Sequence, residues 1–318
     1  MNQVLIVGAG QLGSRYLQGL IKLEEELEIL VFDNSSVSIV AAKKRLTENN
    51  RLKSIHKITW LNIIPKTSMD TSLAIIATTS ANRTILVNQI SKLIKPRFWV
   101  LEKVLAQSES EVKQINESTN YAKAVWVNTP RRLMNLHKLL KSELKFEQPF
   151  RVTKSGTMWG LACNSIHFID LVSWWTGEEV LSINTDKLHS KWFESKREDY
   201  YEVTGELTVN YSNGSILVLQ SFLNEYESSL TIEKDSNTIW SIDENNGIAI
   251  GPKGKVLKGK LDYQSEMTAP LVSEIFKNNT SDLPTLEESS KQHIIFLNAM
   301  LAHWNMSNNR NDIKVPIT

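Results

Sequence analysis

The start of the chain decides the fold. Residues 4–20 read VLIVGAGQLGSRYLQGL, an apolar run followed by closely spaced glycines and then by apolar residues at helical spacing. Residues 8–13 fit G-x-G-x-x-G between a predicted strand and a predicted helix, the context in which this pattern binds the pyrophosphate of a dinucleotide. There Gly8 allows the tight turn, Gly10 lets the phosphates approach the backbone, and Gly13 lets the helix pack close to the strand. An ordinary strand-to-helix turn is the alternative.

Asp33 supports the dinucleotide interpretation. It ends the second predicted strand, twenty residues after Gly13, where a carboxylate can accept hydrogen bonds from an adenosine ribose. A carboxylate at this position repels the 2′-phosphate of NADP, and no arginine follows it directly. The sequence therefore favours NAD. NADP stays open because Asn34, Ser35 and Ser36 can still hydrogen-bond a phosphate.

Composition indicates a soluble two-domain protein. The chain has 318 residues, a length at which single cores tend to divide. A formal net charge of +1 lacks the positive field of a nucleic-acid binder. The single cysteine, Cys163, excludes an intrachain disulfide, and no apolar run reaches the length of a signal peptide or a membrane span. We therefore expect a cytoplasmic protein with neither nucleic acid nor membrane as partner.

The pattern of elements changes near residue 128. Strands alternate with helices over 1–128, which predicts an α/β dinucleotide-binding domain with a Rossmann-type parallel sheet. Over 129–318 we expect an α+β domain for substrate binding and oligomerisation, with a mostly antiparallel sheet flanked by helices. Its first helix is predicted from Thr129 to about Leu144. A second is predicted over 163–176, ending at Gly177.

Several stretches in a fixed order carry a resemblance to a known family. They are VLIVGAGQLGSRY (4–16), IIATTSANR (75–83), WVLEKVLAQ (99–107), WVNTPRR (126–132), CNSIHFID (163–170) and LPTLEESSKQHIIFLNAML (283–301). Over nearly its full length the chain resembles the Gfo/Idh/MocA oxidoreductases. The resemblance implies a nicotinamide cofactor, a sugar or nucleotide-sugar substrate, and self-association as a dimer or tetramer. The expected cofactor contacts are Gly8, Gly10, Gln11, Leu12, Gly13, Asp33, Thr78, Thr79, Asn82, Glu102 and Lys103.

Lys103 is the first candidate catalytic residue. Glu102-Lys103-Val104 stands where the family typically has Glu-Lys-Pro, with the lysine at the nicotinamide and the substrate. A lysine at the carboxyl end of a parallel strand lies where such sheets bind ligands, and its ammonium can stabilise an alkoxide that develops during hydride transfer. Val104 replaces the expected proline. The alternative is a solvated surface lysine.

His167 is the second candidate, as the acid or base. It matches the family's histidine, and Asp170 matches a further family aspartate. The family aspartate four residues earlier is replaced by Cys163, with Asn164 beside it, and a thiol or amide raises the basicity of an imidazole less than a carboxylate does. The alternatives are a packed histidine satisfied by a neighbour, and a Cys163 nucleophile paired with His167, although buried cysteines are usually inert.

Arginines and tryptophans complete the expected substrate site. Arg131 and Arg132 fall in the first turn of a predicted helix, where a cation is mildly unfavourable, so either an anionic substrate group or a carboxylate of the protein should offset them. Trp159 is expected to face the cleft, and Trp174 and Trp175 to lie in the core. The expected substrate contacts are Lys103, Asn128, Arg131, Arg132, Trp159, Asn164 and His167. No residue spacing indicates a metal site.

These observations favour an NAD(P)-dependent oxidoreductase that transfers a hydride between nicotinamide and a sugar or nucleotide-sugar hydroxyl or ketone. The Cys163-Asn164 variation points to the part of the family found around surface-polysaccharide and nonulosonic-acid biosynthesis. A non-catalytic nucleotide-binding regulator or binding protein on the same fold is the alternative. A reductase of imine or biliverdin-type substrates is a third interpretation.

Overall fold

The computed structural model describes residues 1–48, 55–64, 71–144 and 149–318. The chain divides into two compact units. It passes from the first unit to the second after Asn128, where the sequence predicts a change in the pattern of elements. Unit 1 consists of Met1–Ala106, Glu111–Asn128 and Asp262–Glu287, and unit 2 of Gln107–Ser110, Thr129–Leu261 and Glu288–Thr318. The predicted ranges placed Asp262–Glu287 in the second domain, whereas this segment packs with unit 1.

The helices of the described residues occur in both units. In chain order they are α1 (Gln11–Leu20), α2 (Ser36–Thr47), α3 (Ser80–Leu93), α4 (Glu109–Thr119), α5 (Asn135–Leu144), α6 (Leu161–Thr176), α7 (Gln264–Asn278) and α8 (Leu286–Asn308). None of these described helices is long and apolar enough to cross a membrane.

Unit 1 is built on a six-stranded parallel sheet. Its strands are β1 (Asn2–Val7), β2 (Leu27–Phe32), β3 (Lys57–Leu61), β4 (Leu73–Ile76), β5 (Phe98–Glu102) and β6 (Ala124–Asn128), in the order β3-β2-β1-β4-β5-β6. Strands β4 and β5 are buried throughout, as near-continuous apolar strands of a parallel sheet are. The strand order reverses between β1 and β4, and the carboxyl ends of strands at such a switch point form the ligand crevice of this sheet type.

Close packing of α7 on α1 explains a glycine that the dinucleotide pattern leaves unused. A Cβ on Gly19 would lie 2.4 Å from Cβ of Thr268 on α7. Only a residue without a side chain allows the two helices to approach this closely. Gly19, the fourth glycine of residues 4–20, is therefore a packing residue.

Unit 2 is built on an eight-stranded sheet. The strands of unit 2 are β7 (Arg151–Thr157), β8 (Val180–Leu188), β9 (Phe193–Glu194), β10 (Tyr201–Glu202), β11 (Gly205–Tyr211), β12 (Ile216–Phe222), β13 (Ser229–Lys234), β14 (Asn237–Asp243), β15 (Ile248–Ile250) and β16 (Val256–Lys258). Strands β9 and β10 form a separate two-stranded sheet, and the others form the eight-stranded sheet. The order is β16-β15-β14-β13-β7-β12-β11-β8, antiparallel except for the parallel pair β7–β12. The predicted fold class is confirmed. Strand β7 escapes sequence reasoning because its residues, RVTKSGT, contain no apolar run although it lies inside the sheet.

Helix α6 ends as predicted. The prediction of one continuous helix from Thr129 to about Leu144 is wrong. Gly177 ends α6 with a φ of 74°. Pro130–Leu133 instead form a 3-10 turn, Met134 is extended with a ψ of 132°, and α5 begins only afterwards. Long-range contacts of the arginines in this turn, described below, override the local helical pattern.

Candidate active site

The loop between β1 and α1 has the geometry that its glycines predict. Gly8 has a φ of +99°, and a Cβ there would lie 3.0 Å from the carbonyl oxygen of Ala77. A Cβ on Gly13 would lie 1.8 Å from the carbonyl oxygen of Gly8. A Cβ on Gly10, in contrast, would meet nothing within 4 Å in the described parts of the chain. Gly8 and Gly13 are therefore required by the fold, whereas the space beside Gly10 is open to a ligand.

Helix α1 presents its N-terminus at this loop. Gly10 is its N-cap residue and, as a glycine, makes no side-chain hydrogen bond that caps the helix. The first N–H groups of a helix lack intrahelical acceptors and carry a partial positive charge, so such an end binds anions. Gln11 is exposed and Leu12 is half-buried at this end. The arrangement suits the pyrophosphate of a dinucleotide.

The loop itself holds Asp33 in place. Oδ2 of Asp33 accepts the backbone N–H of Ala9 at 2.7 Å, and Oδ1 accepts the backbone N–H of Ser35 at 2.8 Å. Ser35 in turn caps α2 by accepting the N–H of Ser38 at 3.2 Å. The half-buried carboxylate is thus fixed beside the glycine loop, at the end of β2. This position agrees with the predicted hydrogen bonds to a ribose.

Arg83, which the sequence motifs did not single out, joins two loops at the carboxyl ends of β4 and β5. It is 1% exposed, and its guanidinium donates to the backbone carbonyls of Thr78, Val104 and Leu105. The peptide bond between Lys103 and Val104 is cis. Because Arg83 fixes both loops, it sets the backbone positions of two segments that carry predicted cofactor contacts.

The start of α3 offers a further polar group. Thr79 is the N-cap residue of α3, Asn82 is exposed on its first turn, and Oγ1 of Thr78 is buried without a hydrogen-bond partner in the described residues. Buried polar atoms normally have partners, so an unpaired hydroxyl beside the strand ends marks a place for a ligand atom. The open space at Gly10 and this hydroxyl both fit a bound dinucleotide.

Glu102 and Asn128 belong to a buried hydrogen-bond network of unit 1. Oε1 of Glu102 accepts the hydroxyl of Tyr16 at 2.5 Å and the amide of Asn128 at 2.6 Å, and that amide also donates to Gln264 at 2.9 Å. Glu102 and Asn128 are only 3% and 2% exposed. Burial raises the pKa of Glu102, and it raises the pKa of Tyr16 well above its usual value.

Glu102 was expected to contact the cofactor and Asn128 the substrate. Oε1 of Glu102 and Nδ2 of Asn128 connect β5 and β6 with α1 and α7, whereas Oδ1 of Asn128 is buried without a hydrogen-bond partner in the described residues. Both expected ligand contacts stay predictions. The neighbouring Lys103 is half-buried, which agrees with neither a core residue nor a fully solvated surface lysine.

In unit 2, a buried carboxylate pairs with Arg132. Nε and Nη2 of Arg132 donate to Oδ2 and Oδ1 of Asp170 at 2.9 and 2.6 Å, and the hydroxyl of Thr129 donates to Oδ2 at 2.7 Å. Asp170 is fully buried. Burial raises the pKa of Asp170, while the bidentate guanidinium opposes the rise.

A second carboxylate pairs with Arg131. Nε and Nη2 of Arg131 donate to the two oxygens of Glu244 at 2.9 and 3.2 Å, and Nε2 of His137 lies 3.0 Å from Oε1. Burial opposes ionisation of Glu244, but Arg131 and His137 together hold its pKa well below its usual value. Carboxylates of the protein therefore offset both arginines, and the guanidinium carbon of Arg131 lies 4.1 Å from the ring centre of Phe168.

The N-terminal end of α6 brings several predicted residues together. Asn164 donates through Nδ2 to the carbonyl of Trp159 at 2.9 Å, and Nε1 of Trp159 donates to the carbonyl of Gln220 at 2.7 Å. Glu202 accepts the N–H groups of Ala162 at 2.7 Å and of Cys163 at 3.2 Å, which caps the helix. No local signal in the sequence identifies Glu202 as this cap.

His167 lies one turn along α6 from Cys163 and is half-buried, as Cys163 and Asn164 are. The Cys163 thiol donates to the carbonyl of Gly160 at 3.6 Å. The structure thus places His167 on the helix whose start holds Trp159 and Asn164. Lys103 belongs to unit 1 and His167 to unit 2. Their catalytic roles stay predictions.

Trp175 is 2% exposed, as expected of a core residue, whereas Trp174 is half-buried and lines a cavity. The described residues contain no group of three or more His, Cys, Asp or Glu side chains that could hold a metal ion.

Comparison with known proteins defines the fold. No family model matches the chain, and no curated protein matches it in sequence. Solved structures match nearly all of it. An oxidoreductase from Agrobacterium radiobacter, crystallised with NAD+, L-tartaric acid and magnesium, has a TM-score of 0.71 at 13% identity and covers 98% of each chain.

Two further structures are similar over the same extent. The myo-inositol dehydrogenase of Lactobacillus casei, in complex with NAD(H) and myo-inositol, has a TM-score of 0.67 at 15% identity and covers 98% of this chain and 96% of its own. The WlbA dehydrogenase of Bordetella pertussis, in complex with NADH and UDP-GlcNAcA, has a TM-score of 0.67 at 13% identity and covers 100% of this chain and 98% of its own. The chain therefore has the fold of these three structures.

Proposed function

We propose that the protein is an NAD-dependent oxidoreductase that acts on a CH–OH group, or on the matching ketone, of a sugar or nucleotide sugar. The observation that carries this proposal is the loop at β1: its backbone is open beside Gly10, the α1 N-terminus faces it, and Asp33 is fixed at its side. These groups match three features of dinucleotide binding in a Rossmann fold. The open backbone lets the phosphates approach, the helix N-terminus binds the pyrophosphate, and the carboxylate binds the ribose.

The residues that would hold the cofactor are those of the glycine loop, Asp33 and the Thr78–Asn82 segment. When bound, the nicotinamide supplies the hydride acceptor or donor. Asp33 favours NAD over NADP because its carboxylate repels a 2′-phosphate. Arg83 supports the binding surface indirectly, since it fixes the loops after β4 and β5.

Lys103 and His167 are the proposed catalytic residues. The ammonium of Lys103 would hydrogen-bond the reacting oxygen and stabilise negative charge that develops on it. The imidazole of His167 would hold or accept the hydroxyl proton. Both residues are half-buried. Each side chain is therefore partly shielded from water and partly accessible, as expected for a residue that contacts a ligand.

The substrate class is proposed from the comparisons. Similar structures contain myo-inositol and UDP-GlcNAcA, so cyclic polyols and nucleotide sugars are the first candidates. A role in surface-polysaccharide biosynthesis, a cytoplasmic location and a homo-oligomeric state are part of the same proposal.

Turnover with a panel of polyols and nucleotide sugars tests the function, with NADH followed by its absorbance. We expect turnover of at least one substrate, reduced about 100-fold or more in Lys103→Ala and in His167→Ala. Lys92→Ala and His189→Ala, at exposed positions, are matched controls and should leave the rate unchanged. Cofactor binding without turnover of any substrate would contradict the proposal and favour the non-catalytic alternative.

A further inference from the structure

A cavity of about 560 Å³ lies in unit 2 at the C-terminal end of α6. Its size falls within the roughly 300–1,000 Å³ typical of small-molecule sites. Ser173, Trp174 and Gly177 contribute from the end of α6, Lys141 from α5, and Gln292 from α8. Ser173 is six residues beyond His167, about 9 Å along the helix axis, so the cavity is separate from the proposed catalytic histidine.

The cavity contains two buried polar atoms that lack partners. Oγ of Ser173 and Oε1 of Gln292 are buried and make no hydrogen bond to any described residue. The two residues are only 9% and 6% exposed. Buried hydroxyls and amides are normally hydrogen-bonded, because removal from water without a new partner is costly. Both residues line the same cavity, so a ligand there could satisfy both atoms.

The charges around the cavity cancel. Its cationic lining residues, Arg132, Lys141 and Lys291, are matched in number by three glutamates, Glu178, Glu179 and Glu288. Several of these charges already have partners inside the protein.

Arg132 is held by Asp170, Glu178 accepts the hydroxyl of Ser215 at 2.5 Å, and Nζ of Lys291 lies 3.7 Å from Glu179. The site therefore lacks the excess positive charge that recognises phosphates.

The lining also offers an aromatic ring. Trp174 is half-buried in the cavity wall, and Nζ of Lys141 lies 4.2 Å from the centre of its ring. An indole edge provides an apolar surface beside the polar groups. Hydroxyl and amide side chains next to an aromatic surface, without net charge, suit a ligand whose faces are apolar and whose edges carry hydroxyls.

We propose that this cavity is a second binding site, distinct from the candidate active site, for an uncharged polyhydroxylated ligand such as a sugar or a polyol. A ligand hydroxyl donates to Oε1 of Gln292, and a second one exchanges a hydrogen bond with Oγ of Ser173. The C–H surface of the ligand contacts Trp174. An anion without hydrogen-bond donors would leave Gln292 unsatisfied and is disfavoured.

Calorimetric titration of the Lys103→Ala full-length protein with glucose, N-acetylglucosamine and myo-inositol tests the site, because this background weakens the contribution of the proposed active site. We expect at least one of the three probes to bind. Gln292→Met should weaken its binding about tenfold or more, and Ser173→Ala should weaken it measurably. Gln114→Met, at an exposed position on α4, is the matched control and should not alter binding.

Sulfate, an anion without hydrogen-bond donors, serves as the anionic probe and should not compete. The inference is overturned if none of the three neutral probes binds, if Gln292→Met and Ser173→Ala both bind like Gln114→Met, or if sulfate competes with the neutral probes. Thermal unfolding of each variant shows whether it is folded, and Ser173→Ala decides the outcome should Gln292→Met fail to fold. Failure of catalysis would leave this result unaffected, since the titration needs no turnover.

Discussion

The glycine loop of unit 1 and helix α6 of unit 2 hold their functional groups in different ways. In the loop, the key contact joins Ala9 to Asp33 over 24 positions of sequence, and the glycines act through the backbone alone. In unit 2, Arg132 pairs with Asp170 on α6 over 38 positions of sequence, and Arg131 pairs with Glu244, directly after β14, over 113 positions. The first region depends on local backbone geometry and the second on long-range charge pairs, so the two should respond differently to substitution.

The largest effect is expected at Gly13. A Cβ added in Gly13→Ala would overlap the carbonyl oxygen of Gly8, so α1 cannot keep its place against β1. We expect the free energy of unfolding to fall by about 5 kcal/mol, at the upper end of single substitutions. Urea denaturation measures the change. Gly10→Ala is the matched control: because Gly10 is the N-cap residue of α1, a change of up to about 1 kcal/mol is expected, and a loss close to that of Gly13→Ala would contradict the open geometry at that residue.

Asp170→Asn tests the charge pairs of unit 2. The substitution leaves the 5% exposed Arg132 without a buried counter-charge, and breaking such a pair costs about 3–5 kcal/mol. Thermal and urea unfolding should both show the loss, whereas Asp186→Asn, on the exposed face of β8, should change little. A stability equal to that of the parent protein would show that the Arg132–Asp170 pair does not hold α6.

Tyr16→Phe tests the buried network of unit 1. Removal of the hydroxyl takes one hydrogen bond from the buried Glu102 carboxyl, so we expect a loss of about 1–3 kcal/mol in unfolding free energy. Tyr226→Phe, at a residue that is 49% exposed, is the control. Equal stability of the two variants would exclude an energetic role for the Tyr16 hydroxyl.

The smallest effect is the pH dependence caused by Glu244. Its pKa is lowered in the folded state, so the carboxylate contributes stability above its unfolded pKa of about 4.3 and loses that contribution as the pH falls further. Unfolding free energies of the parent protein and of Glu244→Gln should differ by a constant amount above about pH 5. The difference should shrink by about 1–2 kcal/mol towards pH 2. A difference independent of pH would refute the shifted pKa.

These contrasts explain what the sequence can and cannot predict. The alternation of strands and helices, the glycine loop and the end of α6 at Gly177 are encoded locally and are confirmed. The 3-10 turn at Pro130, the cap from Glu202 and the Glu244 pair depend on residues far away in sequence, so no local pattern reveals them. Strand β7 lacks an apolar run, and Trp174 was assigned to the core because residue type alone does not report a cavity.

Calorimetric titration of the purified protein with NADH, and separately with NADPH, tests the central proposal most directly. We expect one NADH site per chain and weaker binding of NADPH, because Asp33 repels a 2′-phosphate. Gly10→Ala should keep its unfolding free energy to within about 1 kcal/mol and lose about tenfold or more in NADH affinity, since its Cβ would enter the space proposed for the pyrophosphate. Absence of binding of either dinucleotide to the parent protein, or full affinity in Gly10→Ala, would contradict the proposed cofactor site.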